Sequence, residues 1–74
     1  MKAYMFLKFK QGADLEQARH AIKEPGVESI DFIMGLHDAI ATVQVPDMAA
    51  LGKLATRIRN CPGLQDSITC PVIS

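Results

Sequence analysis

Hydrophobic and polar residues alternate along four segments of the chain, a pattern that predicts four β-strands. In the first segment Ala3, Met5, Leu7 and Phe9 fall on one face. The predicted strands span residues 2–10, 27–34, 38–45 and 64–73. Because proline has no N–H for a hydrogen-bonded ladder, Pro71 favours an edge position for the last strand.

Two further segments carry apolar residues at helical spacing. These residues are Leu15, Ala18, Ala21 and Ile22 in the first segment and Leu51, Leu54, Ala55 and Ile58 in the second. Asp14 and Asp47 precede them as predicted N-caps, and Pro25-Gly26 and Pro62-Gly63 end them. The order βαββαβ, built from two right-handed βαβ halves, predicts an α+β ferredoxin-like plait. Its four-stranded antiparallel sheet has both helices on one face.

The other face of the predicted sheet has nothing in the chain to cover it. Tyr4, Phe6 and Ile40 nevertheless give it an apolar character. An uncovered apolar face marks an association surface. We therefore expect a two-fold dimer whose sheets enclose a barrel-like core. The alternative is a monomer with an apolar surface.

Composition limits the possible classes of protein. The 74 residues predict one domain, 1–74, and eight basic against eight acidic side chains leave no net charge, which disfavours direct nucleic-acid binding. No apolar run is long enough for a membrane span or a signal peptide. Cys61 and Cys70 are too few for a disulfide scaffold, which indicates reduced thiols in a cytoplasmic protein. With His20 and His37 they lack zinc-motif spacing, so no metal and no cofactor are predicted.

Five segments resemble one known family. They are the opening strand 3–8, the turns Pro25-Gly26-Val27 and Pro62-Gly63-Leu64, the segment Gly35-Leu36-His37-Asp38-Ala39-Ile40, and Ser67-Ile68-Thr69. The long segment fits the family pattern Gly-x-aromatic/His-Asp, and the last stands where the family commonly has Thr-x-Thr. The chain thus resembles the effector-binding domain, or RAM domain, of the Lrp/AsnC feast/famine regulators.

The resemblance implies a small-molecule effector-binding and oligomerisation module linked to transcription regulation. Its members form homodimeric α/β barrels that assemble into octamers or similar rings, and they bind amino acids between dimers. Family regulators carry a helix-turn-helix domain before this module, and the sequence has none. We therefore expect a stand-alone form, which would regulate through co-assembly with full-length relatives or through an unrelated partner.

The resemblance also implies an effector pocket. The loop between the middle strands contributes to it, as does the last strand of a neighbouring subunit. The implied ligand-binding residues are Gly35, Leu36, His37, Asp38, Ser67 and Thr69. Glycine lets a ligand approach the backbone, Asp38 suits an ammonium, and the two hydroxyls donate or accept. The alternative is that Gly35 and Asp38 only form a turn.

Two other functions stay open at this point. Small cofactor-independent enzymes use the same dimeric plait, and Tyr4 with His37 is the one acid–base pair that the chain offers. No convergent catalytic set accompanies the pair, so the chain is predicted not to be an enzyme. A purely structural oligomerisation module would bind no ligand and would not change its assembly with an effector.

Overall fold

The structure, a computed structural model, describes residues 1–73. Two helices and four strands follow one another in the predicted order βαββαβ. Their bounds are β1 Lys2–Phe9, α1 Leu15–Ile22, β2 Val27–Phe32, β3 Ala39–Gln44, α2 Met48–Arg59 and β4 Leu64–Pro71. The predicted domain extends one residue further, to Ser74, which lies outside the described residues.

The strands form one antiparallel sheet in the order β2-β3-β1-β4. This order and the two helices confirm the predicted ferredoxin-like α+β fold. Because β4 pairs with β1 alone, Pro71 lies on an edge strand, as its missing N–H predicts.

The core lies between the two helices and one face of the sheet. Ala3, Met5 and Leu7 of β1 are fully buried there, next to side chains of β3. The helices contribute Ala18, Ile22, Leu51, Leu54, Ala55 and Ile58. Burial of one large aliphatic side chain stabilises the fold by about 1.5–3 kcal/mol, so this cluster is the main source of stability.

Both predicted N-caps are confirmed. The Asp14 carboxylate accepts hydrogen bonds from the backbone N–H groups of Glu16 and Gln17, at 3.0 and 3.2 Å. Asp47 accepts from the N–H of Ala50 at 2.8 Å. Each cap satisfies donors that have no partner inside the helix and contributes roughly 1 kcal/mol.

The face of the sheet away from the helices, called here the open face, has an apolar centre. Residues directly opposite one another in an antiparallel pair share a face. The strand register therefore aligns two rows across it, Asp31-Ile40-Phe6-Ile68 and Ser29-Thr42-Tyr4-Cys70. Ile68 is 45% exposed, and the Tyr4, Phe6 and Ile40 side chains are partly exposed. Polar and charged residues stand at the ends of the strands around this centre.

The predicted strand ends are wrong by one or two residues at Lys10, Met34, Asp38, Val45 and Ile73. At two of these positions the backbone N–H bonds to a turn or to the chain terminus instead of to a strand ladder. The N–H of Lys10 donates to Gly63 O at 2.7 Å, and the N–H of Val45 donates to Met1 O at 2.9 Å. Met34 is fully exposed and lies in the loop after β2.

The apolar face of α1 is narrower than its spacing predicts. The helix has eight residues and buries only Ala18 and Ile22, one turn apart. Leu15 is 43% exposed and Ala21 is exposed as well. Leu15 lines a surface cleft instead of the core.

Candidate functional site

The loop between β2 and β3, residues 33–38, is fastened to β1 through Asp38. The Asp38 N–H donates to Leu7 O at 2.8 Å, and its Oδ2 accepts from the N–H of Phe9 at 2.8 Å. The loop closes on itself because the N–H of Ile33 donates to Asp38 O at 2.9 Å. Asp38 therefore has the structural role that its turn-forming chemistry predicts, and its second carboxylate oxygen is not used by these bonds.

The tip of this loop is exposed and apolar. Gly35 has a φ of +145°, a value that L-residues with a side chain rarely adopt. Met34 and Leu36, on either side of it, are 100% and 86% exposed. The Leu36 carbonyl accepts a hydrogen bond from Lys8 Nζ at 3.3 Å, so this side of the loop leans towards the open face.

His37 lies against the open face. Its ring centroid is 5.5 Å from that of Phe6, with a tilt of 49° between the rings. Within the described chain the imidazole is therefore an aromatic neighbour of the sheet and does not line either of the clefts described next.

A cleft of about 300 Å³ opens beside Asp38. We call it the Asp38 cleft; it is lined by Phe9, Lys10, Leu15, Phe32, Ile33 and Asp38, together with residues 11–13. The rings of Phe9 and Phe32 stand 6.4 Å apart, and the Arg19 guanidinium lies 4.7 Å from the Phe32 ring. The cleft therefore has an apolar part, formed by the aromatic rings, and a charged part, formed by the Asp38 carboxylate and the Lys10 side chain.

Ser67 and Thr69 lie on the helix side of the sheet, because they pair with the buried Leu7 and Met5. Ser67 lines a second cleft, of about 380 Å³. We call it the Arg59 cleft; its other lining residues are Arg59, Leu64, Gln65 and Asp66. Thr69 does not line either cleft and is half-buried.

The six predicted site residues do not converge within one chain. Ala39, which follows the loop, and Ser67 both pair with Leu7, from opposite sides of β1. Two strand spacings put their backbones about 10 Å apart. The predicted set therefore divides, within one chain, into a loop group and a β4 group.

Several lining residues were not predicted from the sequence. Phe9 and Phe32 both stand at the last position of a strand, where a side chain can pack on the core and also border a cleft. Arg59 is not among the predicted site residues. Its position at the end of α2, five residues before β4, is the one signal that would have placed it near Ser67.

The two arginines near the end of α2 have different surroundings. Arg57 Nε donates to Glu24 Oε2 at 2.9 Å. No carboxylate of residues 1–73 lies within ion-pair distance of the Arg59 guanidinium. Nearby, burial raises the pKa of the Cys61 thiol, so this cysteine stays protonated at neutral pH.

Within residues 1–73, no group of three His, Cys, Asp or Glu side chains stands together as metal ligands would. No helix in this range is long and apolar enough to cross a bilayer.

Comparison of the fold with solved structures gives close matches. FFRP-DM1 has a TM-score of 0.85 and 23% identity, with 97% of each chain covered. A Neisseria meningitidis transcriptional regulator, solved as an L-Met complex, has a TM-score of 0.89 and 21% identity. A Mycobacterium tuberculosis feast or famine regulatory protein, complexed with L-methionine, has a TM-score of 0.80 and 20% identity. At these identities the similarity establishes the fold.

The solved structures differ in how much of their own length this chain matches. Each of the two regulators aligns with 99% of this chain, but this chain corresponds to only 49% of the Neisseria protein and 50% of the Mycobacterium protein.

No curated protein matches the sequence. A family model for the Lrp/AsnC ligand binding domain matches residues 2–74, and this match confirms the predicted family. The chain therefore belongs to the Lrp/AsnC ligand-binding domain family, the effector-binding module of a class of transcription regulators.

Proposed function

We propose that this module binds an amino acid as its effector and that binding changes how its subunits assemble. The observation that carries the proposal is the Asp38 cleft, in which a carboxylate stands next to the Phe9 and Phe32 rings. Family membership and the L-methionine complexes of two structural relatives support the same ligand class.

The cleft offers chemistry that a zwitterion with an apolar side chain requires. The unused oxygen of Asp38 accepts from an ammonium, and a charge-assisted hydrogen bond is the strong kind. The Phe9 and Phe32 rings receive the side chain, and a thioether makes favourable contacts with aromatic rings. Gly35 lets the ligand backbone approach the loop. We therefore propose an aliphatic or thioether amino acid such as L-methionine.

We further propose that the pocket is completed by two subunits. The loop residues Gly35, Leu36, His37 and Asp38 come from one subunit, and Ser67 and Thr69 of β4 come from a neighbour. Support comes from the separation of the two groups across β1 within one chain. An exposed loop tip that includes Leu36 favours the same arrangement, because large apolar side chains in water mark contact surfaces.

The proposed basic unit is a homodimer joined through the open face. Tyr4, Phe6, Ile40 and Ile68 give that face an apolar centre, and Lys8 and Asp31 stand in its charged rim. An apolar centre with a polar rim is the usual anatomy of a protein interface. Face-to-face packing of two sheets would form the dimeric α/β barrel, and octamers or similar rings of such dimers would place the loop of one beside β4 of another.

Thermodynamic linkage supplies the mechanism. A ligand that binds only the completed pocket stabilises the assembly that contains it. At a free effector concentration about 100 times Kd, this stabilisation is about 2.7 kcal/mol per site. Assembly size or partner choice, including co-assembly with full-length relatives, then reports the effector concentration. The free thiols Cys61 and Cys70 suit the cytoplasm as the place of action.

We propose a regulatory role and not a catalytic one. Family membership is the main support. In addition, the candidate acid–base pair lacks a pocket: Tyr4 lies under Lys2 Nζ at 5.3 Å, and His37 packs on Phe6. A purely structural module stays distinguishable, because it would bind no effector.

Calorimetric titration of the purified protein with a panel of amino acids tests the proposal. We expect saturable binding of L-methionine or another apolar amino acid, and weaker binding of aspartate, which Asp38 repels. The absence of binding heat and of a melting-temperature change for every amino acid would contradict an effector role and favour the structural module.

A further inference from the structure

Arg57 and Arg59, both in the last turn of α2, differ in their ion pairing. The guanidinium of Arg57 is paired with Glu24 at 2.9 Å. Arg59, two residues later, has no carboxylate of residues 1–73 within ion-pair distance and instead lines the cleft that also contains Ser67. Arg59 is exposed, so its guanidinium is accessible to a ligand at this cleft.

A β-bulge shapes the wall of the Arg59 cleft. Lys8 pairs with Asp66 and Phe9 with Leu64, which leaves Gln65 as an extra residue in β4. Bulges bend a strand and re-aim its side chains, and they are frequent next to functional sites. Here the bulge lies between the α2 end and Ser67, and the cleft volume of about 380 Å³ falls within the range of small-ligand pockets.

The chemistry of this cleft complements that of the Asp38 cleft. The Asp38 cleft has a carboxylate for an ammonium, whereas the Arg59 cleft has a guanidinium and a hydroxyl. The Asp66 carboxylate, which lines the same cleft, accepts a hydrogen bond from the backbone N–H of Ser67 at 2.9 Å. A guanidinium with a neighbouring hydroxyl is the donor set that a carboxylate requires.

We propose that Arg59, assisted by the Ser67 hydroxyl, binds the α-carboxylate of the effector. The inference rests on the proposed function, in which β4 of one subunit and the loop of another complete one pocket. The ammonium and side chain of the ligand then occupy the Asp38 cleft of the neighbouring subunit, and its carboxylate reaches Arg59. Arg59 thereby distinguishes amino acids from simple amines.

Titration of two ligands against matched variants tests this role. The ligands are L-methionine and 3-(methylthio)propylamine, which has the same side chain and ammonium but no carboxylate. The variants are Arg59→Gln and, as the matched control on the same helix turn, Arg57→Gln. We expect Arg59→Gln to weaken L-methionine binding by about tenfold or more and to bind the amine as the wild type does. Arg57→Gln should bind L-methionine with wild-type affinity.

A second variant separates the charge from the geometry. Arg59→Lys keeps one positive charge without the planar fork, so we expect an affinity between those of the wild type and Arg59→Gln. Unchanged melting temperature and mass show that each variant folds and assembles.

The outcomes distinguish this inference from the proposed function. Wild-type L-methionine affinity in Arg59→Gln, or an equal loss in Arg57→Gln, would overturn the role of Arg59 and leave the effector function intact. A wild-type protein that binds no amino acid at all would overturn the proposed function itself, and the Arg59 assignment with it.

Discussion

The His37 imidazole packs against the Phe6 ring, with the two ring centroids 5.5 Å apart. Phe6 lies at the centre of the open face, in one row with Ile40 and Ile68. The loop that carries Asp38 is therefore in direct contact with the surface through which we propose that two copies associate. If two copies associate through this face, the contact is a short route from the effector loop to the assembly.

Replacement of Ile68 by Glu tests the open face as an interface. The side chain is 45% exposed in the single chain, so the monomer tolerates a charge there, whereas a buried interface does not. We expect Ile68→Glu to sediment as a single chain at micromolar concentration with its circular dichroism unchanged. Met48, 60% exposed in the first turn of α2, supplies the control: Met48→Glu should keep the wild-type mass. Equal masses for the two variants would place the interface elsewhere.

Two substitutions at Asp38 separate its structural role from its proposed binding role. Asp38→Ala removes the acceptor for the Phe9 N–H and should lower the free energy of unfolding by about 1–3 kcal/mol. Asp38→Asn keeps an oxygen acceptor and should cost less than about 1 kcal/mol, because only the charge is lost. Both should weaken amino-acid binding. Urea denaturation followed by titration measures both quantities, and an Asn variant that binds normally would remove Asp38 from the site.

Two glycine substitutions test the turn that precedes β4. Gly63 has a φ of +82°, and an added Cβ would stand 2.9 Å from the Cβ of Ala13. Gly63→Ala should therefore lower the free energy of unfolding by about 1–2 kcal/mol from backbone strain alone, with the clash adding to it. Gly52, inside α2 with open space around it, is the matched control: Gly52→Ala should stabilise by about 0.5–1 kcal/mol. A Gly63→Ala protein as stable as the wild type would contradict the turn geometry.

The Cys61 thiol predicts a dependence of stability on pH. Burial raises the pKa of this thiol in the folded chain. Its contribution to stability is therefore complete below the pKa of the unfolded thiol, and it is lost as the pH rises through the folded-state value. We expect the stability difference between the wild type and Cys61→Ala to shrink from pH 7 to pH 10 in denaturant titrations. A difference that stays constant over this range would mean that the thiol does not ionise on unfolding.

Much of the fold follows from short-range signals in the sequence. The alternation in β1 is so regular that its buried face is read without error, and Asp14 and Asp47 cap the helices by local hydrogen bonds. Strand ends were less predictable, because they depend on partners far along the chain. The Lys10 N–H, for example, bonds to Gly63 O, a contact between residues 53 positions apart in sequence that alternation does not encode.

The site was predictable only in part, for a similar reason. The family resemblance proposes Asp38 as a site residue, whereas the proximity of Arg59 to Ser67 depends on how α2 and β4 meet and on the bulge at Gln65. Phe9 and Phe32 stand at strand ends, and alternation gives the face on which such a side chain lies but not whether it also borders a cleft. Geometry at strand ends decides which of these side chains border a cleft.

The most direct test of the account compares L-methionine binding by the wild type with binding by the Ile68→Glu variant, using calorimetry on samples whose mass has been measured. If the effector pocket is completed by two subunits, the wild-type assembly binds saturably, and the single-chain variant binds at least tenfold more weakly (about 1.4 kcal/mol). A single-chain variant with wild-type affinity would contradict the account, because one subunit would then contain the whole pocket.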